Sequence, residues 1–296
     1  MSSVLGRYAA VQDGGLGVAA KPIGVLLVGA GKLTPRDTEA VLQYQKEHPI
    51  PFGEAAVRLG LISPSDVLQM LARQFDYPYL RPGESGVQPE VVTAYDPYCE
   101  QSERLRALRG QLLLRGAQAA SAEARLLVVA SVARGDGRSY LAANLAVVFS
   151  QLGQRTLLID ADLRNPRQHA LFGLELGEGL STYLSGRSGL DSVQEIAGLA
   201  QLSVLTAGPV PPNPQELLLR SSLSALLAGL RREYDAVIID TSAAEVAADA
   251  VALSARGPQA VLVARRNHTQ VARLHALSEE IAAAGAHVVG CVLNPH

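Results

Sequence analysis

Three apolar runs in the second half of the chain end in residues that suit phosphate or cation binding, and this pattern most constrains the fold. LLVVAS (126–131) leads into a glycine-containing loop, LLIDADLR (157–164) carries paired aspartates, and VIIDTS (237–242) carries a third. Helical stretches separate the runs, which is typical of βα units and a parallel sheet. The carboxyl ends of such strands share one edge, where open α/β sheets bind ligands.

The same alternation extends on both sides of these runs and predicts an α/β fold, with a parallel sheet flanked by helices. The predicted strands are Leu126–Ser131, Thr156–Asp160, Ser203–Thr206, Ala236–Asp240, Ala260–Val263 and Val288–Leu293. The predicted helices include Ser139–Leu152, Gln215–Glu233 and Gln270–Ala284, with an earlier one from Ser102 to about Arg115.

The loop after the first strand partly matches the phosphate-binding pattern GxxxxGK[ST]. Val132 stands in place of the first glycine, Gly137 and Ser139 fit, and Arg138 occupies the lysine position. Backbone N–H groups of such a loop and of the following helix bind anionic oxygens. The predicted nucleotide-binding residues here are Gly135, Asp136, Gly137, Arg138, Ser139 and Tyr140.

Lysine is nearly absent from the chain. Only Lys21, Lys32 and Lys46 are lysines among 26 basic residues, so a mechanism that needs a lysine after residue 46 is excluded. Arginine in the loop can clamp the β- and γ-phosphate oxygens bidentately, but it is bulkier than lysine. The net charge of −2 gives no reason to expect nucleic-acid binding.

The acidic residues suggest roles in phosphoryl transfer from a nucleotide. Mg²⁺ prefers oxygen ligands, which Ser139, Asp162 and Asp240 offer. Asp160 is then left to accept a proton as the general base. The sequence therefore predicts Asp160, Asp162, Asp240 and Arg138 as catalytic residues, Ser139, Asp162 and Asp240 as metal ligands, and ATP and Mg²⁺ as cofactors.

Residues 92–296 resemble the bacterial tyrosine kinase (BY-kinase) family of the Wzc/CpsD type. The resemblance rests on LLIDADLRNPRQHALFG, AGPVPPNPQELL (207–218), YDAVIIDT and VLNP. GRSYLAANLAVVFSQLG is most similar to the chain-length determinant kinases of the EpsG type, which also carry arginine in the lysine position. The resemblance implies a P-loop NTPase fold, an ATP–Mg²⁺-dependent tyrosine autokinase that regulates exopolysaccharide chain length, and Asn294 at the adenine edge.

Assembly is also implied by the resemblance. Glu103, Arg106 and Arg109 match the ExxRxxR helix of the family, which implies a homo-oligomer, although a solvated helix face is the alternative. A membrane polysaccharide copolymerase is the implied partner. We expect a cytoplasmic protein held at the inner membrane through that partner, because the chain has no run of 18 apolar residues.

Two departures from the family favour an alternative, a regulatory subunit that binds ATP or ADP with little kinase activity. Where the family has DTPP, this chain continues with Ser242 and Ala243, and no tyrosine follows Tyr234. Four tyrosines near the predicted linker are either alternative acceptors or packing residues: Tyr77, Tyr79, Tyr95 and Tyr98. A positioning ATPase like MinD or ParA shares the loop and aspartate motifs. Those proteins usually carry a signature lysine early in the loop, where this chain has Ala133 and Arg134.

An internal repeat precedes this region. Residues 23–45 align with 52–74, and each copy predicts a helix that ends at a glycine and a second helix capped by Thr34 or Ser63. The repeat resembles the N-terminal domain of GspE/MshE ATPases, some of which bind cyclic di-GMP. Proline replaces the basic residue of that motif at Pro22 and Pro51, so a protein-docking module remains the alternative.

The sequence thus divides into four parts. They are a flexible tail at 1–20, a small helical repeat domain at 21–82, a linker at 83–100, and a P-loop BY-kinase-like domain at 101–296.

Overall fold

A computed structural model describes residues 22–74, 77–81, 83–116, 125–257 and 259–295. The chain divides into two compact units, and the boundary follows Pro78. The tail predicted at 1–20 lies outside the described residues. Within the described ranges, no helix is long and apolar enough to cross a membrane.

The first unit consists of four helices, two from each copy of the repeat. They are α1 (Ile23–Gly29), α2 (Pro35–Glu47), α3 (Phe52–Arg58) and α4 (Pro64–Gln74). Thr34 and Asp37 form a reciprocal capping box at the start of α2. Gly31 and Gly60 have φ of +68° and +71°, so each copy turns through a left-handed glycine.

The second unit contains a seven-stranded sheet in its described part, in the order β3-β4-β2-β5-β1-β6-β7. The strands are β1 (Arg125–Ser131), β2 (Thr156–Asp160), β3 (Val193–Glu195), β4 (Leu202–Leu205), β5 (Ala236–Asp240), β6 (Gln259–Arg265) and β7 (His287–Asn294). Only β3 runs antiparallel to its neighbour. The predicted parallel sheet is confirmed; the short edge strand β3 was not predicted.

Helices cover both faces of this sheet. They are α5 (Val92–Tyr95), α6 (Glu100–Gly116), α7 (Arg138–Ser150), α8 (Gln168–Phe172), α9 (Leu180–Leu184), α10 (Pro214–Leu218), α11 (Ser221–Glu233), α12 (Asp249–Ser254) and α13 (Val271–Ala283), with a 3₁₀ turn at Leu190–Ser192. Side chains alternate along β1, so that Leu127 and Val129 join the core beneath α7, whereas Val128 joins the core on the opposite face.

One predicted helix is two helices. The segment predicted at 215–233 divides into α10 and α11, because Arg220, which lies between them, has an extended conformation with ψ of 149°.

The segment 83–100 is not a linker. Its glycines and prolines suggested one, but Val87, Val91 and Ala94 are buried in the core of the second unit. The backbone N–H of Thr93 also donates to the side chain of Asn144 on α7. Burial of these apolar side chains outweighs the turn-forming composition.

Candidate functional site

The loop between β1 and α7 takes a backbone shape that requires glycine. Gly135 and Gly137 have φ of +79° and +102°. A Cβ atom at Gly137 would lie 2.6 Å from Nδ2 of Asn294, which donates to the carbonyl of Asp136 at 3.1 Å. The end of β7 therefore closes over the loop, and Asn294 lies against Asp136 and Gly137.

The side chain of Asp136 shapes the loop from within. It is fully buried, and it accepts hydrogen bonds from the N–H of Ala133 at 2.9 Å and from the hydroxyl of Thr269 at 2.8 Å. His268 lies 3.3 Å from the same carboxylate. Of the groups of Asp136, its backbone N–H is the one suited to a phosphate.

Arg138 is buried between the loop and the acidic residues. Its Nε donates to the carbonyl of Thr241 at 2.8 Å, and its Nη1 donates to Ser131 Oγ at 2.6 Å and to the carbonyl of Ala133 at 3.1 Å. Its Nη2 lies 3.7 Å from Oδ2 of Asp162. Three guanidinium hydrogens thus bind acceptors at the end of β1, in the loop and just after β5, and Nη2 faces the carboxylate of Asp162.

Asp160 ends β2 opposite Asp240 on β5, so two buried carboxylates are neighbours in register. Its Oδ2 accepts from the N–H groups of Arg167 at 3.0 Å and Gln168 at 2.9 Å. Burial raises the pKa of Asp160 well above its ordinary value, and the charge of Asp240 raises it further.

Asp162 lies beside the same edge, with Oδ1 accepting from the N–H groups of Arg164 at 3.3 Å and Asn165 at 3.0 Å. Burial raises the pKa of Asp162, while these backbone donors and the charge of Arg138 oppose the rise. Its carboxylate is therefore held by the chain on one oxygen and faces the arginine with the other.

Asp240 has one satisfied oxygen and one orphaned oxygen. Oδ2 accepts from Nε2 of Gln168 at 2.8 Å, whereas Oδ1 is buried with no hydrogen-bond partner among the described residues. Burial raises the pKa of Asp240, opposed by Arg138, Gln168 and Ser139. A buried carboxylate oxygen without a donor fits a hard cation.

The oxygen donors at this sheet edge suit Mg²⁺, which is a hard cation. Among the described residues, no group of three or more His, Cys, Asp or Glu side chains is arranged to hold a metal. A magnesium ion at Asp240, Asp162 and the Ser139 hydroxyl would complete its shell with water and phosphate oxygens, as Mg²⁺ commonly does.

The segment after Asp240 contains a second set of contacts that the sequence did not reveal. Ser242 Oγ donates to Oδ2 of the buried Asp249 at 3.0 Å, and Arg164 Nε lies 3.2 Å from the same oxygen. Asp249, at the start of α12, is therefore contacted both by Ser242, which departs from the family pattern, and by Arg164 of the loop after β2.

Tyr140 is half-buried at the start of α7. Burial raises the pKa of its phenol, with the Cys99 thiol as a second cause. The structure therefore places this predicted nucleotide-binding residue near the start of α6, on the side of α7 that packs against that helix.

The charged stripe on α6 is partly engaged within the chain. Arg106 Nη2 donates to Glu103 Oε1 at 2.7 Å and to the carbonyl of Pro97, and Arg109 donates to the carbonyl of Val148. Glu103 is exposed, with 56% of its side chain accessible. Glu103 is therefore the member of the stripe most open to another subunit.

Tyrosines are half-buried across the described part of the chain. Eight of the nine lie there, and each has an intermediate exposure. The hydroxyl of Tyr95 lies 2.8 Å from Ser85 Oγ and contacts the carbonyl of Val87, as expected of a packing residue. Tyr8 lies outside the described residues.

Two buried residues, Gln168 and Asn144, make several side-chain hydrogen bonds at or beside the site and were not predicted from the sequence. Gln168 contacts the ends of β2 and β5 and the first turn of α7. The side chain of Asn144 makes three hydrogen bonds to residues 90–93 and one to Tyr140 within α7. Both stand in segments that carry the family resemblance, but the sequence assigned neither of them a role, and only their buried contacts in the folded chain identify one.

Comparison with models of protein families gave no match. Among known proteins, the tyrosine-protein kinase YwqD of Bacillus subtilis (strain 168) is 34% identical over 212 residues, which cover 71% of this chain and 87% of YwqD. The tyrosine-protein kinase Etk of Escherichia coli (strain K12) is 33% identical over 65% of this chain, but only 26% of Etk is covered.

Solved structures give the same neighbours. The kinase domain of Escherichia coli tyrosine kinase Etk matches with a TM-score of 0.66 at 30% identity, covering 74% of this chain and 85% of that domain. The chimerical protein CapA2B2 matches with a TM-score of 0.65 at 33% identity, covering 76% and 97%. MinD of Pyrococcus horikoshii OT3, solved with Mg-ADP, shares the fold at a TM-score of 0.52 and 22% identity.

Proposed function

Because the chain belongs to the family of bacterial tyrosine kinases of the Wzc, Etk and CapB type, we propose that it transfers the γ-phosphoryl group of ATP to tyrosine in a Mg²⁺-dependent reaction. The observation that supports this most is the meeting of the loop 132–137 with three buried carboxylates at one sheet edge. Phosphoryl transfer requires this combination of a phosphate cradle, cation ligands and a base.

Each residue of the site has a proposed part in this reaction. Asp160, whose pKa is raised by burial, accepts the proton of the attacking tyrosine hydroxyl. Ser139, Asp162 and Asp240 hold Mg²⁺, which neutralises charge on the phosphates when bound. Arg138 fastens the loop with three donors and offers Nη2 to a phosphate oxygen.

The proposed biological setting follows the family resemblance. The kinase would phosphorylate tyrosines of its own chain or of neighbouring subunits, which assemble through the α6 stripe. It would work with a membrane polysaccharide copolymerase, which holds it at the inner membrane, and so regulate exopolysaccharide chain length. The exposed carboxylate of Glu103 supports the assembly part of this proposal.

A second candidate function is a regulatory subunit that binds ATP or ADP and transfers little phosphate. The specific observation in its favour is that three donors of Arg138 bind protein acceptors, namely Ser131, Ala133 and Thr241, and are therefore not available to a phosphate. Lysine in this position would carry a compact ammonium on a flexible stem.

Incubation of the full chain with labelled ATP and Mg²⁺, alone and with the partner's cytoplasmic segment, separates the two functions. A kinase gives phosphotyrosine that falls by about 100-fold or more in Asp160→Asn, within the range general-base catalysis contributes. The control Asp191→Asn, at an exposed aspartate of the 3₁₀ turn, should equal wild type.

A map of phosphorylated tyrosines completes the assay, with Tyr8 and the eight half-buried tyrosines scored separately. Magnesium-dependent ATP binding without phosphotyrosine in either condition would support the regulatory subunit. Transfer that is unaffected by Asp160→Asn would contradict the proposed base.

A further inference from the structure

Gln168, the first residue of α8, has a fully buried polar side chain to which the sequence motifs assigned no role. Its backbone N–H donates to Asp160 Oδ2 at 2.9 Å. Its side-chain Nε2 donates to Asp240 Oδ2 at 2.8 Å and to the carbonyl of Ser139 at 3.1 Å. One residue therefore contacts the ends of β2 and β5 and the first turn of α7.

The side-chain amide uses both of its hydrogens in these two contacts. One hydrogen fixes the carboxylate of Asp240, and the other fixes the backbone that carries the Ser139 hydroxyl. Asp240 and Ser139 are two of the proposed cation ligands, and they lie on different elements. Gln168 thus sets the position of one ligand relative to the other.

The pattern of satisfied and unsatisfied oxygens supports the same role. The amide occupies Oδ2 of Asp240 and leaves Oδ1 buried without a partner in the described part of the chain. Oε1 of Gln168 is a second buried acceptor without a partner there. Buried polar atoms are normally satisfied, so two unused acceptors in one site indicate a bound species such as a hydrated cation.

We propose that Gln168 is a positioning residue for Mg²⁺, holding Asp240 and Ser139 in the geometry that binds the cation together with a nucleotide. The inference rests on the proposed nucleotide site. Residues that orient metal ligands typically contribute about 10–100-fold to metal affinity. Neither methionine, which lacks donors, nor asparagine, which is shorter, can bridge Asp240 and the Ser139 carbonyl as glutamine does.

The test measures binding of a fluorescent ADP analogue to the full chain, in saturating Mg²⁺ and in EDTA. For wild type we expect Mg²⁺ to tighten binding. In Gln168→Met that enhancement should fall by about tenfold or more, while affinity in EDTA changes by less than about twofold. Gln101→Met, at an exposed glutamine on α6, is the matched control and should behave like wild type.

The outcomes separate this inference from the proposed function. Equal losses in Mg²⁺ and in EDTA, or an unchanged enhancement, would overturn the role of Gln168. Absence of Mg²⁺-dependent binding in wild type would instead overturn the nucleotide site itself. Thermal unfolding monitors folding, and if Gln168→Met does not fold, the same comparison with Gln168→Asn decides the question.

Discussion

Asn144 provides the clearest quantitative test of how the segment before α6 is attached. The fully buried Oδ1 accepts from the N–H of Thr93 at 3.0 Å and from its hydroxyl at 2.9 Å, and Nδ2 donates to the carbonyl of Glu90 at 3.1 Å. Asn144→Leu keeps a similar volume and removes these contacts. The Thr93 hydroxyl retains a second acceptor, the Asn144 carbonyl, so the N–H of Thr93 and the carbonyl of Glu90 are the groups left without partners.

The buried N–H of Thr93 costs about 1–3 kcal/mol when it loses its partner and the partly buried carbonyl of Glu90 about 1 kcal/mol, so we expect the segment to lose about 2–4 kcal/mol of local stability. At about 1.4 kcal/mol per factor of ten, hydrogen exchange in 86–99 should accelerate by roughly 30- to 1,000-fold. Mass spectrometry of exchange in the full chain measures this, with peptides from α13 as the internal control. Thr93→Val, which removes one donor and keeps the backbone bond, should cost about 1 kcal/mol.

The reasoning would be refuted if exchange in 86–99 were unchanged in Asn144→Leu, or if α13 accelerated equally. The first result would mean that packing of Val87, Val91 and Ala94 alone holds the segment. The second would mean that the substitution destabilises the whole unit.

Three further predictions follow from the geometry. Gly137→Ala forces an alanine into φ of +102° and brings its Cβ to 2.6 Å from Nδ2 of Asn294 on β7. The affinity for MgADP, measured by calorimetry, should therefore fall about tenfold or more. The control Gly177→Ala, with open space around the added Cβ, should match wild type. Arg138→Met removes the charge that lowers the pKa of Asp162 and takes the arginine donor from the Thr241 carbonyl, so it should weaken MgADP binding at neutral pH by a similar factor. Unchanged affinity would contradict the loop-fastening role. In the first unit, hydrogen bonds from Lys32 and then Ser63 lower the pKa of Asp66 from 3.8 to about 2. This carboxylate therefore contributes stability that is fully present above the unfolded pKa and is lost as pH falls through about 2. Acid unfolding of that unit, followed by hydrogen exchange in α4, should be less pH-dependent in Lys32→Met, and an identical profile would refute the assignment.

The sequence was sufficient to predict the strands that carry the site, because apolar runs bounded by glycine and aspartate indicate both the element and its end. Asp160 and Asp240 were expected at one sheet edge, and the structure places them opposite each other. The two helix–turn–helix units could also be predicted from the sequence, because Thr34 and Ser63 mark the starts of their second helices.

What the sequence could not predict is where individual side chains point. Asp136 was expected to bind nucleotide, yet its carboxylate turns inward to Ala133 and Thr269. The partners of Arg138 lie up to 103 residues away, and Gln168 acquires its role only when three elements meet. Such contacts depend on tertiary packing, which local propensity and spacing do not encode.

The closure of the loop by Asn294 also has a consequence for the order of events during synthesis. The loop leaves the ribosome long before the groups that fasten it, since Thr269 and Asn294 follow Asp136 by 133 and 158 residues. Both neighbours of β1 in the sheet, β5 and β6, are likewise made later. Nucleotide therefore cannot guide the early stages of folding, and the first binding by a nascent chain would mark the moment at which the sheet is complete.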